Sequence, residues 1–486
     1  METMQTYFEP FRRQIIGIDQ RYRFAGGDLP ILYADWAASG RLYAPIERFI
    51  SSELGPYVAN THTESTLTGT LMTSAYHQAH EIIKRHVNAS PDDVLLFAGF
   101  GMTAVINKFQ RILGLRIPER FKNRITLCED EKPLVIITHM EHHSNQTTWE
   151  ECCCDIVILC KRADGRPNLD HLKTILETQT ERRLIIGSFT ACSNVTGIIT
   201  DYYEMAALMH AHGRLCFVDF SASAPYVKID MHPPRPECKL DAVFFSPHKF
   251  LGGPGSSGVI LFDKDLYRIT VPDHPGGGTV VYTTPWGQHR FFDDIEVRED
   301  GGTPGFLQAI KAALAIHLKE TMQTDRIMAR EHAMTDYLLN ELCPIDGLSV
   351  LEGHNHNRIG FVSFYTKHIH HNLFVRLLND RFGIQCRGGC LCAGTYAHVL
   401  LRLDPQKSRV ITDHIDRHDL SIKPGWVRIS LHPTMTDAEV EYINDAVRRV
   451  MANYQTWQKD YRFIPSDGDF EYGGTPPVPI DLRSVC

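Results

Sequence analysis

Lys249 closes the run Phe244-Phe245-Ser246-Pro247-His248-Lys249, straight after an apolar stretch and straight before the glycine-rich segment from Gly252 to Gly258. An ε-amine held at a strand end can form a Schiff base with an aldehyde cofactor while Ser246 and His248 reach a phosphate. That combination is a signature of a pyridoxal phosphate site. A lysine alone after a strand is usually a solvated surface residue, so the reading rests on what lies upstream.

Gly99-Phe100-Gly101-Met102-Thr103-Ala104 follows a strand ending at Phe97 and opens a helix through Ile106 to Leu113. Backbone N–H groups at such a start, Met102 among them, and the Thr103 hydroxyl make an anion site, although a glycine-rich strand-to-helix turn is often purely structural. Asp219 ends the strand Leu215-Cys216-Phe217-Val218. A carboxylate there can keep a pyridine nitrogen protonated, or it can cap the next helix. Asn194, between Ala191 and Gly197, can donate to a ring phenolic oxygen or simply make a turn. His142, in Met140-Glu141-His142-His143-Ser144-Asn145, can stack on a ring face. A paired histidine can also ligate a metal, but no HExxH or paired CxxC accompanies it, and no metal is expected.

The loop Cys386-Arg387-Gly388-Gly389-Cys390-Leu391-Cys392-Ala393-Gly394 sets thiols beside Arg387. Positive charge near a thiol on a mobile loop favours the thiolate, which is the nucleophile. The plainer alternatives are small buried hydrophobes, as most of 13 cysteines in an enzyme will be, or half of a metal site whose partner pair is not evident. Cys152 to Cys154 read as structural.

A large α/β frame must carry these groups. Between Asp92 and Phe262, β-rich runs at Val94 to Phe97, Leu134 to Thr138, Ile156 to Leu159, Leu184 to Ser188, Leu215 to Val218, Ala242 to Phe245 and Gly258 to Phe262 alternate with helical patterns. Runs apolar on both faces and spaced by helices predict a mostly parallel seven-stranded sheet. After Gly276-Gly277-Gly278 and Gly301-Gly302-Thr303-Pro304, Leu307 to Leu342 reads as long helix. Strand Ile359 to Tyr365, helix Asn372 to Phe382, strand Val427 to Leu431 and helix Asp437 to Tyr454 then form a smaller α+β unit. Thr434 to Asp437 with Glu439 marks the start of that last helix. The expected division is an N-terminal segment 1–30, a large cofactor-binding domain 31–306, a small domain 307–456 and a tail 457–486, rich in Pro, Gly and Asp from Pro465 on and expected to cover the surface or be disordered.

The 486 residues are 43% hydrophobic and 22% charged with a formal net charge of -8. These are the proportions of a globular enzyme with room for two domains. With a pI near 6.3 and no basic stripe, nucleic acid and anionic membrane are poor partners, and a small molecule is the expected one. An odd number of cysteines without framework spacing and no apolar leader suit a reducing, cytoplasmic setting. Arg12 and Arg13 are balanced by Glu2 and Glu9, unlike a mitochondrial presequence. No apolar run approaches bilayer length.

The chain resembles class V aminotransferase-fold enzymes of the cysteine desulfurase and selenocysteine lyase-like group. The resemblance runs from Tyr33-Ala34-Asp35-Trp36-Ala37-Ala38-Ser39 through Asn60-Thr61-His62, Glu141-His142-His143, Val218-Asp219 and Ser246-Pro247-His248-Lys249 to Val427-Arg428-Ile429-Ser430-Leu431. It implies a fold-type I architecture, pyridoxal 5'-phosphate as cofactor and a homodimer with shared active sites. By the same resemblance Lys249 is the Schiff-base lysine, Asp219 the pyridinium partner and His142 the stacking base. Thr103, Ser246 and His248 hold the phosphate, and Thr303 arrives from the second subunit. Arg428 grips the substrate carboxylate, as a guanidinium fork can, and Ala37 and His62 fall on the substrate side. An arginine in such a strand would otherwise most often be a surface ion-pair residue.

Cys392 falls at the desulfurase nucleophile, which takes sulfur from cysteine as a persulfide and leaves alanine, with Cys390 a neighbour or second carrier. Three departures stand out. Ala222 replaces a glutamine three residues after the pyridinium aspartate, Thr63 replaces an arginine after His62, and the polar stretch from Tyr396 to Trp426 is longer than the usual link. That stretch reads as a solvated insertion or as a lid or docking surface. Cys390-Leu391-Cys392 is also similar to molybdenum cofactor sulfurases, whose additional C-terminal domain is not expected here, so the sulfur acceptor, a protein among the candidates, stays open. The expected activity is cysteine desulfuration. The alternatives are aminotransfer, epimerisation or C–S lysis on the same scaffold, a catalytically silent relay partner, and, more distantly, a metal-binding module.

Overall fold

The computed structural model describes residues 3–61, 63–122, 124–474 and 480–485. Seven strands make the large sheet: β1 (Asp93–Ala98), β2 (Leu134–Thr138), β3 (Asp155–Leu159), β4 (Ile185–Thr190), β5 (Leu215–Asp219), β6 (Ala242–Phe245) and β7 (Gly258–Asp263). Their order is β1-β7-β6-β5-β4-β2-β3, with β7 antiparallel to both neighbours and the other pairings parallel. β2, β4 and β6 are buried along their whole length, as expected for strands covered by helices on both faces. Each apolar run of the sequence became one of these strands.

The parallel register brings functional residues to one edge. Thr190 pairs with Asp219 and Asp219 with Phe244, so the carboxyl ends of β4, β5 and β6 lie side by side, where ligands bind in open α/β sheets. The reversed β7 sets Gly258 opposite Ala98. A Cβ on Gly258 would stand 2.2 Å from the Gly101 carbonyl oxygen, so only glycine lets β7 approach the loop after β1 this closely.

A second sheet holds β8 (Leu348–Val350), β9 (Phe361–Thr366), β10 (Arg387–Gly389) and β11 (Trp426–Ser430) in the order β8-β9-β11-β10, all antiparallel. The closing helix Asp437–Trp457 starts at a reciprocal capping box between Thr436 and Glu439, and Glu439 also pairs with Arg12 at 2.8 Å. The N-terminal segment is thereby tied in, and Phe8 and Ile15 share the core of the small sheet.

The helix expected over Leu307 to Leu342 is in fact two, Phe306–Thr321 and Thr324–Leu342, broken at Gln323 in the left-handed region with φ 61°. The first buries Ile310, Ala312, Ala313 and Ile316 in the core under the large sheet. The second buries Ile327, Met334, Leu338 and Leu342 in the core of the small one. Leu318 and Met322 at the end of the first helix already pack in that second core, so the chain passes from one core to the other before the break at Gln323, which a continuous apolar stripe does not announce. The tail expectation is corrected in part: Tyr461–Ile464 and Asp469–Tyr472 form a hairpin docked on helix His371–Phe382 through Arg376 and Asp469 at 2.6 Å. Tyr396 to Trp426 is also largely helical, with Gly394–Leu401 and Pro405–Asp416. No described helix is long and apolar enough to cross a membrane.

Lys319 is buried against the Ala224 and Val227 carbonyls, and burial pulls its amine down to about 7. The folded state binds fewer protons than the unfolded between that value and the ordinary 10.5, so this group's penalty is full below pH 7 and is relieved as pH rises. Urea titrations at pH 7 and pH 9.5 should show a larger gain in stability with pH for wild type than for Lys319→Met.

Candidate active site

A cavity of about 790 Å³ opens at the carboxyl edge of β4, β5 and β6 and is closed by the loop after β10. Lys249, Asp219, His142, Asn194, Thr103, Met102, Ser246, His248, Arg428, Ala37 and Cys392 all line it. Thr303 lies outside it and accepts a hydrogen bond from Asn60 at 3.3 Å. His62 lies outside the described residues. Segments hundreds of residues apart thus meet in one chamber of ligand size.

Burial sets the protonation states there. Lys249 is pulled down to about 8 by desolvation, with Asp219 acting against the shift, so a sizeable fraction of its amine is neutral at mildly alkaline pH. Asp219 is itself pushed up by burial, opposed by Lys249, and its Oδ1 accepts the Ser221 N–H at 2.8 Å. His142 falls to about 3 through burial and the nearby cations Lys249 and Arg428. Its Nδ1 accepts the Ser144 N–H at 3.1 Å, which leaves the proton of the neutral ring on Nε2. His248 is lowered to about 4 by burial and Lys249.

At the expected anion site the helix Met102–Ile112 begins at Gly101 with no side-chain cap. Two expectations change in detail. The Met102 N–H donates to Ser246 Oγ at 2.8 Å, and the Thr103 hydroxyl shares a 2.6 Å hydrogen bond with Ser144. Met102 therefore positions Ser246. A Cβ on Gly101 would meet Ser246 Oγ at 3.1 Å and His248 Nε2 at 3.4 Å, so the bare backbone leaves the space between helix start and lysine open. Asn194 Oδ1 is buried at the cavity wall with no protein partner. Polar atoms of that kind call for a polar ligand, and the uncapped helix start suits its phosphate. The residues fit pyridoxal phosphate.

Asn194 Nδ2 donates one of its two N–H groups to the Leu391 carbonyl at 2.7 Å, which leaves the second N–H available. Arg428 is braced from two sides: Nη1 donates to the Asn194 carbonyl and Nη2 to Asp35, both at 2.8 Å. Its Nε is buried without a partner. Arg387 lies directly opposite Arg428 across β10 and β11, and its Nε also meets Asp35, at 2.9 Å. Asp35 thus separates two like charges that would otherwise repel across the strands. Arg387 keeps its outer guanidinium free toward the cavity, at 54% side-chain exposure. In the sequence Arg387 stands out only as a neighbour of thiols, and Asp35 only as part of the Tyr33 to Ser39 motif. Both carry signals in hindsight, a carboxylate in the first motif and two arginines on adjacent strands.

Cys392 is exposed and sits with Leu391 in a turn closed by the Ala393 N–H donating to the Cys390 carbonyl at 3.1 Å. Both central residues are left-handed, φ 54° and 55°. The twelve described cysteines are all free. Those at Cys152, Cys153 and Cys154 donate to main-chain carbonyls away from the cavity.

Residues 32–443 match the family described as Aminotransferase class-V. A protein named probable cysteine desulfurase from Halalkalibacterium halodurans is 29% identical over 372 residues, which cover 75% of this chain and 84% of that one. Another of that name from Staphylococcus epidermidis is 27% identical over 368 residues, 75% and 83% of the two chains. Among solved structures, the apo cysteine desulfurase of Thermococcus onnurineus NA1 superposes with a TM-score of 0.72 at 20% identity, covering 92% of this chain and 98% of that one. The cysteine desulfurase CsdA of Escherichia coli gives 0.69 at 21% identity with the same coverage. The fold is therefore that of fold-type I enzymes.

Removing Asp35 should strand Arg428 as an unpaired buried charge. Asp35→Ala is expected to lose roughly 3–5 kcal/mol of unfolding free energy in urea titration.

Proposed function

The chain belongs to the class-V aminotransferase family, and we propose that it is a pyridoxal-phosphate-dependent cysteine desulfurase that converts L-cysteine to L-alanine and takes the sulfur on Cys392. One observation carries the reading: an exposed thiol is held over the same cavity that Lys249 and Asp219 line. Bound pyridoxal phosphate supplies an electron sink for the pair left when a proton leaves the substrate Cα.

The chain's own residues do the rest. Lys249 tethers the cofactor and, with its amine lowered to about 8, moves the Cα proton near neutrality. Asp219, an anion beside a cationic ring nitrogen, holds that nitrogen's proton in place. His142, neutral at working pH, stacks on the ring and carries a proton on Nε2. Ser246, His248, Thr103 and the Met102 helix start would hold the phosphate, while Asn194 fixes the Cys392 turn and has a second N–H to offer the ring oxygen. Arg387 and Arg428, balanced by Asp35, receive the substrate carboxylate, with Ala37 and His62 on the same side. The Cys392 thiolate attacks the substrate sulfur, the carbon–sulfur bond breaks, and its electron pair leaves with the alanine carbon skeleton. Cysteine and one protein thiol thus become alanine and one protein persulfide. Aminotransfer, epimerisation and C–S lysis would use the same tether without the thiol.

A homodimer in the cytoplasm is the assembly and place we infer. Phe100, Leu67 and Trp286 are exposed by 77%, 69% and 84%, with Phe100 in the lining of the cavity, and in this reading the second copy covers them. Thr303 from a second copy would complete the phosphate site.

Incubation of the holoprotein with L-cysteine should yield equimolar alanine and protein-bound sulfur. Cys392→Ser should keep the cofactor's visible absorption and lose at least about 10³-fold in alanine formation. Retained turnover in that variant, with keto acid, D-amino acid or pyruvate as product, would identify one of the alternatives. Light scattering should give twice the chain mass, and Trp286→Asp should shift the population toward monomer.

A further inference from the structure

We propose that Cys390 is a second sulfur station, which receives the sulfane sulfur from Cys392 and presents it to a small anionic thiol in a separate cavity behind the small sheet. The proposal rests on the desulfurase reading and adds the route and the chemistry of the acceptor.

The second cavity, of about 390 Å³, lies between the end of β9, the start of helix His371–Phe382 and residues 423–425. Its apolar floor is Phe364, Phe374 and Val427, and its rim carries Lys367, His368 and Lys423. Among the described residues neither lysine pairs with a carboxylate, and Asp469, the acidic group facing His370 and His371, is engaged by Arg376. Two unneutralised ammonium groups at the mouth of a small apolar chamber select an anion of modest size.

The partition between the two cavities is thin. Cys390 Sγ donates to the Pro424 carbonyl at 2.7 Å, and Pro424 lines the second cavity. A Cβ on Gly425 would lie 2.6 Å from the His371 ring and 2.8 Å from Gly389 Cα. One glycine therefore separates the cysteine loop from the second chamber. On the other side, Leu391 is buried at 8% exposure and anchors the turn, while Cys392 lines the first cavity. The turn brings the Cys390 and Cys392 Cα atoms to roughly 5–6 Å, a span over which two sulfurs can bond.

The transfer needs no external oxidant or reductant. The Cys390 thiolate attacks the terminal sulfur of the Cys392 persulfide, the sulfur–sulfur bond at Cys392 breaks, and its electron pair stays on Cys392 Sγ. That sulfur takes the proton Cys390 gave up, so one thiol and one persulfide exchange places. A bound thiol then takes the sulfur from Cys390 in the same way. Lys423 favours the Cys390 anion against the upward pull of its burial, and breaking the bond to Pro424 frees the sulfur to turn.

The test supplies the holoprotein and L-cysteine with 3-mercaptopropionate, 2-mercaptoethanol or cysteamine and measures alanine turnover. Wild type should run about fivefold faster with the anionic thiol than with the neutral one, and slowest with the cationic one. Cys390→Ser should still form one alanine per subunit and carry one added sulfur by mass on Cys392, but its preference for the anionic thiol should vanish. Lys423→Gln, an exposed substitution, should reduce the same preference. Persistence of the preference in Cys390→Ser overturns the relay, and persistence in Lys423→Gln overturns the second cavity as the acceptor site. Absence of alanine from wild type would instead bring down the desulfurase reading, and the relay with it.

Discussion

Asp35 sits between two arginines that the small sheet places face to face, and the active-site chamber depends on that arrangement. β10 and β11 are paired with Arg387 opposite Arg428, a juxtaposition that would push the strands apart unless an anion stood between the guanidinium groups. Asp35 supplies it, with one oxygen to each arginine. The carboxylate comes from the start of the chain, just after a short strand at Leu32–Tyr33 that pairs with Ile384–Gln385. N-terminal segment, cysteine loop and β11 are thereby locked in one register. Arg428 also donates to the Asn194 carbonyl of the large-sheet side, so the same group fixes the width of the cavity.

Desolvation is the second common cause, and it acts with opposite sign on acids and bases. It lowers Lys249, His142 and His248 and raises Asp219, because in each case the charged form loses water. The outcome is a lysine that can give up its proton, two neutral imidazoles and a carboxylate kept anionic by its neighbours. Glu141 lies deeper and is raised to about 8 by burial. All its partners, Thr138, Asn145 and the Thr190 N–H, are donors. That set of bonds favours the ionised carboxylate and holds β2, β4 and the helix under His142 together.

Much of the frame was legible in the sequence because its signal is local. Seven runs apolar on both faces became seven strands, and the residues that end them, Asp219 and the Ser246 to Lys249 segment, could be placed at strand ends from the pattern alone. What escaped reading depends on partners far along the chain. The break at Gln323 escaped because the apolar stripe runs on across it: Leu318 and Met322 before it and Ile327 after it all pack in the core of the small sheet. Arg428 looked like an open fork because Asp35 lies 393 positions away in sequence. The Met102 N–H looked free because nothing in the glycine-rich turn announces that Ser246 will reach it. The hairpin at 461–472 was hidden in a segment whose composition resembles a surface tail, yet its aromatic residues Phe463 and Phe470 pack on His370.

The turn at Leu391 and Cys392 shows why the reactive thiol stands where it does. Two successive non-glycine residues with positive φ cost about 1–2 kcal/mol each, and turns of this kind normally use Asn or Gly. The strain persists because the surroundings hold it: Leu391 is buried in a cluster with Met140, Val195 and Trp426, Asn194 takes its carbonyl, and the His143 N–H takes that of Cys392 at 2.7 Å. A relaxed extended loop would carry the thiol away from the cavity or bury it. Restraint from both sheets instead turns it outward over Lys249 and Asp219. The residues that hold the turn, Asn194 and His143, flank the cofactor-binding elements themselves. The position of the sulfur acceptor is therefore coupled to the same edge of the large sheet that positions the lysine, and neither can shift without the other.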